Sequence, residues 1–310
     1  IPAVLYYIVL FAVVHLEAVK NNIPILKGED LPKLVPTFLG GGHLLLSLPV
    51  FAYMLFDGYS VMFASFWAVV TTFVVSYAKR STWLTPKQLL ASFVDGANAV
   101  LPVAAACATA GIIIGVITLT GLGLKFSSLI VAVSGDNLVI ALILTLVASL
   151  LLGMGLPTAA AYILVSTLVA PALVDLGVDL LAAHLFVFYG AMLSSITPPV
   201  AMAAYAAAGL AGANPFRIAV TAVQFGIAAF IVPFFFVINP ALIGVGDFLT
   251  IAMAAVAATI GAGAIAIAIQ GWFLQRTSII ERIAFFTAGL LLMLPEIRSA
   301  ALGVGLILAP

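Results

Sequence analysis

Charge is scarce in this chain. Of 310 residues only 7% are Asp, Glu, Lys or Arg, and 65% are hydrophobic. A water-soluble domain carries about 25% charged residues, so this chain could not cover its own surface in water. It reads as an integral membrane protein. The 11 basic and 11 acidic residues cancel, which argues against a nucleic-acid partner or an acidic substrate held by bulk charge. Cysteine is almost missing: the single Cys107 leaves no intrachain disulfide and no cysteine metal cluster, and in its apolar run it is expected to be a small core residue. No Gly-x-x-x-x-Gly-Lys-Ser/Thr loop occurs, which disfavours a nucleotide-driven pump. No charged n-region with a cleavage site is seen. The chain starts at Ile1 and ends at Pro310 just after an apolar stretch, and the expectation is a fragment of a longer membrane protein.

What is present is a series of apolar runs punctuated by charge. Spans of about 20 residues cross a bilayer, and candidate runs cover Pro2 to Val19, 40–56, 61–78, 88–120, 137–152, 180–213, 216–238, 248–272 and 283–295. In 88–120, the opening part with Ser92, Asp95 and Asn98 is expected to lie in the interface before the chain dives at Val103. Residues 153–176 read as a re-entrant hairpin, two short apolar arms around Ser166-Thr167. Lys79-Arg80 and Lys87, Arg217 and the Arg276–Arg282 loop are assigned to the cytoplasm by the positive-inside rule, and Asp247 to the periplasm. Three parts are expected: 1–87 as scaffold-type helices, 88–214 as a transport-type repeat, and 215–310 as C-terminal helices.

Two stretches carry the chemistry. One is Gly153-Met154-Gly155-Leu156-Pro157-Thr158; the other is Ser194-Ser195-Ile196-Thr197-Pro198-Pro199. A bilayer tolerates broken backbone only where it is buried in protein or lines a watery cavity, and paired breaks point to the ion and substrate site of a secondary transporter. Proline lacks an N–H and displaces the carbonyl four residues back, so Pro157 is expected to free the carbonyl of Gly153, and Pro198 and Pro199 those of Ser194 and Ser195. Gly155, like Gly153, lets backbone approach closely. Carbonyls plus the hydroxyls of Thr158, Ser194, Ser195 and Thr197 form the hard oxygen set a sodium ion prefers. Gly153, Thr158, Ser195 and Thr197 are the candidate sodium ligands. Half-helix N-termini would suit a substrate carboxylate. The rival reading is a non-transporting scaffold or assembly subunit, with the breaks as packing kinks.

Other features carry less. His184 sits in a Leu-Phe-rich run without a second ligand at helical spacing, as a hydrogen-bonded packing histidine would. Asp95 is either a proton relay or an interfacial, solvated acid. Asp136, Asp175 and Asp179 look like loop or helix-end residues. The Ala-rich segments 201–211 and 251–269 read as close-packed helix faces. Gly244-Val245-Gly246-Asp247 looks like an element of intramembrane aspartyl proteases, but that chemistry needs two carboxylates sharing a proton and the family's Tyr-Asp partner is absent. A channel would want a repeated ring of filter residues, and none recurs.

In order along the chain, the Gly153–Tyr162 run, Ala183-His184-Leu185-Phe186-Val187-Phe188-Tyr189, Ser195-Ile196-Thr197-Pro198-Pro199-Val200-Ala201, Ala204-Tyr205-Ala206-Ala207-Ala208 and Ile231-Val232-Pro233-Phe234 resemble the fused membrane subunit of tripartite ATP-independent periplasmic (TRAP) transporters. The TAXI subtype is the nearest likeness, and the resemblance spans about 40–243. It implies an all-α polytopic membrane protein with an ion-transporter-like fold: two inverted repeats, each with a re-entrant helical hairpin and an unwound transmembrane helix. It implies a hairpin tip at Gly153 to Thr158 and the unwound helix at Ser194 to Pro199. No first-repeat hairpin rich in Ser and Gly is found in 1–135, which fits a C-terminal portion. The implied partners are a periplasmic substrate-binding protein, the remaining half of the permease, a small membrane subunit or segment, membrane lipid and a small-molecule carboxylate. Sodium is the implied coupling ion, with no other cofactor and no enzymatic chemistry. The implied location is a bacterial or archaeal cytoplasmic membrane.

Overall fold

In a bilayer every backbone N–H and C=O must be satisfied within the protein, so apolar spans become helices. The computed structural model describes residues 1–24, 31–135, 137–273 and 275–308. The expectations for the Cys107 side chain and for Asp136 lie outside the described residues. Among the described residues the chain is helical, with an isolated bridge between Trp272 and Arg276. Five stretches are long and apolar enough to cross a membrane: Pro2–Lys20, Leu34–Phe56, Thr158–Asp175, Pro215–Ile238 and Phe248–Gln270. Shorter apolar helices accompany them. This is a multi-pass membrane protein.

The chain divides into two compact units, Pro24–Pro102 and Ile1–Ile23 with Val103–Pro310. Helix α1 (Pro2–Lys20) belongs to the second of these. The Pro24–Pro102 unit holds α2 (Leu34–Gly41), α3 (Ser47–Phe56), α4 (Val61–Ser76) and the start of α5 (Pro86–Thr120). Within it the Lys79 ammonium donates to the carbonyls of Leu39 and Gly40 (3.1 and 3.3 Å) at the end of α2, where a cation complements the helix dipole. Residues 86–120 form one helix, so the expected dive at Val103 is not marked by a break.

The larger unit continues with α6 (Leu122–Ser134), α7 (Leu138–Gly153), α8 (Thr158–Asp175), α9 (Leu180–Leu193), α10 (Met202–Ala211), α11 (Pro215–Phe225), α12 (Ile227–Ile238), α13 (Phe248–Gln270), α14 (Ile279–Met293) and α15 (Ile297–Leu308). Polar side chains start these helices. Asn137 accepts from the Val139 and Ile140 amides, Asp179 from those of Leu181 and Ala182, and Asp247 from that of Thr250. Ser278 and Glu281 form a reciprocal capping box. Asp175 ends α8, and Asp179 and Asp247 cap their helices as expected of helix-end residues. The core gathers Leu5 and Val9 of α1, Leu142 of α7, Leu173 of α8, Phe186 of α9, Phe236 of α12 and Ile265 of α13, all buried. Ala258, Ala262 and Ala266 line the buried face of α13.

One expectation is corrected here. Ser166 and Thr167 are not the tip between two arms. Both lie inside α8, and both hydroxyls donate back to the Ile163 carbonyl (3.1 and 2.7 Å). A hydroxyl that bonds the preceding turn sits in a helix without ending it. Pro171 is likewise inside α8. The helical hairpin is instead α7 and α8, which pack together, with Met154–Pro157 as its connection.

Candidate functional site

The α7–α8 connection is built by its own residues. Gly155 takes φ +76°, a left-handed conformation only glycine adopts freely. Pro157 then precedes Thr158, the first residue of α8. Proline fixes φ without needing an N–H partner, so it opens a helix at little cost.

The second break follows α9. Residues 194–200 form successive turns, the Pro198–Pro199 peptide is cis, and Ala201 sits at φ +39° before α10 begins. The two breaks meet. A Cβ placed on Gly153 would lie 2.7 Å from Ser194 Oγ, and one on Gly155 3.9 Å from Val200 Cγ1. One turn back, a Cβ on Gly190 would lie 2.5 Å from Ser149 Cβ. Residues one turn apart on α7 therefore meet residues one turn apart on α9 in the same order. The two helices run parallel here, and both end at the same level.

A third break, which the sequence reading missed, joins them. The run 216–238 is long and apolar enough to cross as one span, as expected, and Gly226 interrupts it between α11 and α12. A Cβ there would lie 3.1 Å from Ile196 Cδ1. The signal was a lone glycine beside Gln224 in an apolar run, without the proline that marked the other two.

The carbonyls do not stand as free as expected. Gly153 O accepts from the Leu156 amide at 3.3 Å, Ser194 O from Thr197 at 3.4 Å and Ser195 O from Ala203 at 2.9 Å. Local turns recapture what the prolines release. Each carbonyl keeps a second lone pair, and the 3.4 Å bond is long for a backbone hydrogen bond.

The hydroxyls are more informative. Ser194 donates to the Ala191 carbonyl (2.6 Å), Ser195 to Met192 (2.6 Å) and Thr197 to Leu193 (2.8 Å). All three protons are spent on the last turn of α9, so each oxygen is left with acceptor lone pairs only. Ser194 is 1% exposed; Ser195, Thr197 and Pro198 are partly buried, and Pro199 is exposed. Thr158 is exposed, and Gly153 is buried against Ser194.

Electrostatically the site is two-sided. The carboxyl ends of α7 and α9 carry partial negative charge, and the amino end of α8 partial positive charge. Pro157 offers α8 no side-chain cap, so the first-turn amides remain for an outside acceptor. The arrangement can take a small hard cation on hydroxyl and carbonyl oxygens and an anion on α8.

Of the remaining candidates, His184 Nδ1 pairs with Tyr162 Oη at 3.0 Å, and Tyr162 packs edge-on against Phe188, as expected of a hydrogen-bonded packing histidine. Asp95 is exposed on α5. Hydrogen bonds from the Thr250 hydroxyl and amide lower the Asp247 pKa from its ordinary value.

The family model of the DctM component of tripartite ATP-independent periplasmic transporters matches residues 1–251. No curated protein and no solved structure gives a significant match.

Proposed function

Because the chain belongs to the DctM component family, the membrane permease of TRAP transporters, we propose that it carries an organic carboxylate inward in symport with sodium. Members of this family are transporter subunits rather than enzymes, and they work with a periplasmic binding protein and other membrane subunits. The finer assignments are our own reading. The binding protein is of the TAXI type, and the chain is the C-terminal portion of a fused permease that also needs its other half and a small membrane subunit. Residues 88–214 are the moving part, with the α7–α8 hairpin re-entrant, and 1–87 and 215–310 flank it.

One observation carries the reading. The two hydroxyl-bearing breaks, distant in sequence, meet at Gly153 and Ser194, with the hydroxyl protons spent on carbonyls of α9. Sodium is held by Ser195, Thr197 and Thr158 with the Gly153 carbonyl. Gly155, Pro157, Pro198 and Pro199 shape the two turns, and Ser194 locks them together. The carboxylate lies at the amino end of α8.

The test is uptake of labelled organic acids into proteoliposomes, using the full-length permease with its binding protein and an imposed sodium gradient. Uptake that requires the gradient supports symport. Sodium-independent uptake contradicts it, and no uptake of any acid under any gradient favours the scaffold reading.

A further inference from the structure

We propose that a crevice lined by none of the residues of the two hydroxyl-bearing breaks binds the phosphate headgroup of an anionic phospholipid. The crevice encloses about 700 Å³, within the range of small-ligand sites. It is lined by the ends of α1 and α13, by α11 and by α14, and its polar side chains include Lys20, Gln224 and Arg282.

Two cations are fixed there by one helix end. Arg282 Nε donates to the Ala268 carbonyl (2.7 Å) and Nη2 to Ile269 (3.2 Å), while Lys20 Nζ donates to Gln270 (2.9 Å). These contacts close the carboxyl end of α13. A guanidinium has five N–H donors and an ammonium three, so both retain donors after capping. Glu17 lies 3.8 Å from Lys20 and also accepts from Asn21, leaving one positive charge in surplus. Gln224 is exposed, and among the described residues its amide makes no hydrogen bond.

The surroundings select a lipid over a soluble anion. Lys20 and Gln270 end two helices long and apolar enough to span a membrane, so the cations belong at the membrane surface. At the same crevice Ile279 and Ile283 are 75% and 61% exposed, an apolar flank for an acyl chain. The Arg276–Arg282 loop is assigned by its charge to the cytoplasmic side, where anionic lipids collect. The site does not depend on the transport reading, and its α14 wall lies beyond the residues the family model matches.

The test is native mass spectrometry of the delipidated full-length protein titrated with phosphatidylglycerol, with phosphatidylethanolamine and inorganic phosphate as separate arms. One tightly held phosphatidylglycerol per chain is expected, with weaker retention of phosphatidylethanolamine and none of phosphate. Lys20→Gln should weaken phosphatidylglycerol about fivefold, the usual contribution of one cation near a membrane surface. Gln224→Ala, which removes no internal hydrogen bond among the described residues, should weaken it without altering thermal stability. Glu17→Gln should tighten it. Unchanged affinity in all three variants would overturn the site, as would equal retention of the zwitterionic lipid. Binding of inorganic phosphate as tight as the lipid would assign the crevice to a soluble anion instead.

Discussion

Two of the glycine-tight helix contacts among the described residues differ in what surrounds the glycine. At the α13–α14 crossing, a Cβ on Gly261 would lie 2.7 Å from the Gly289 carbonyl, and one on Gly289 2.6 Å from the Gly261 carbonyl. Both helices run on unbroken. At the α7–α9 contact, Gly153 meets Ser194 just where both helices stop. The first contact gains van der Waals packing between backbones, the usual role of small residues in membrane helices. The second adds helix-end dipoles and three hydroxyl oxygens whose protons are already spent on α9. Small residues alone mark packing; small residues at coincident helix ends mark a site.

The largest effect should come from filling the packing contact. Gly289→Ala places a Cβ against the fixed backbone carbonyl of Gly261 and against the fully buried Ile265 side chain. Overpacking of this kind costs about 1–3 kcal/mol. Thermal denaturation in detergent should show that loss, while protein that remains folded keeps its sodium dependence. An altered sodium requirement would erase the distinction between the two contacts.

Gly153→Ala should invert the pattern. Its Cβ meets the end of a short side chain, Ser194 Oγ, which can turn off the Ala191 carbonyl at modest cost in stability. Releasing the Ser194 lock moves the Gly153 carbonyl off the ion, and one oriented oxygen is worth about 1–1.5 kcal/mol, about tenfold in half-saturating sodium. Adding Ser194→Ala should recover thermal stability but not sodium affinity, a non-additivity that a double-mutant cycle measures.

A smaller change is expected at Ala201, whose φ of +39° costs a side-chain-bearing residue about 1 kcal/mol. Ala201→Gly should raise the melting temperature by a few degrees at most. The smallest lies at Asp247, outside the spans. Hydrogen bonds from Thr250 lower its folded pKa below the unfolded value. The cap therefore stabilises above the unfolded pKa and is lost as pH falls through the folded one. Asp247→Asn should flatten the acid limb of the stability–pH curve and leave neutral stability little changed.

The legible part of the site was written in glycine and proline. Gly153 to Pro157 and Ser194 to Pro199 punctuate apolar runs strongly enough to place two breaks, and Asp179 and Asp247 are recognisable helix starters. Ser166-Thr167 misled because hydroxyls in a helix can bond the preceding turn, and hydropathy does not distinguish that from a turn of chain. The Gly226 break was hidden because a lone glycine in a membrane helix is common. Helix α15 was passed over as a terminal apolar stretch. The carbonyls of Gly153, Ser194 and Ser195 were expected free because the proline rule accounts for the helix bond that is lost and not for the turn bond that replaces it. The meeting of Gly153 with Ser194 depends on α8 folding back between them, and residue spacing does not report that.

The central claim is that the hydroxyls at the coincident helix ends bind the coupling ion. Thr197 and Thr167 make the same bond to the carbonyl four residues back, at 2.8 and 2.7 Å, one at the break and the other inside α8. The direct measurement is the half-saturating sodium concentration for uptake in Thr197→Ala and in Thr167→Ala, side by side in proteoliposomes. The account predicts a rise of about tenfold in the first and none in the second. Equal shifts, or no shift in either, would contradict it and leave the breaks as packing kinks.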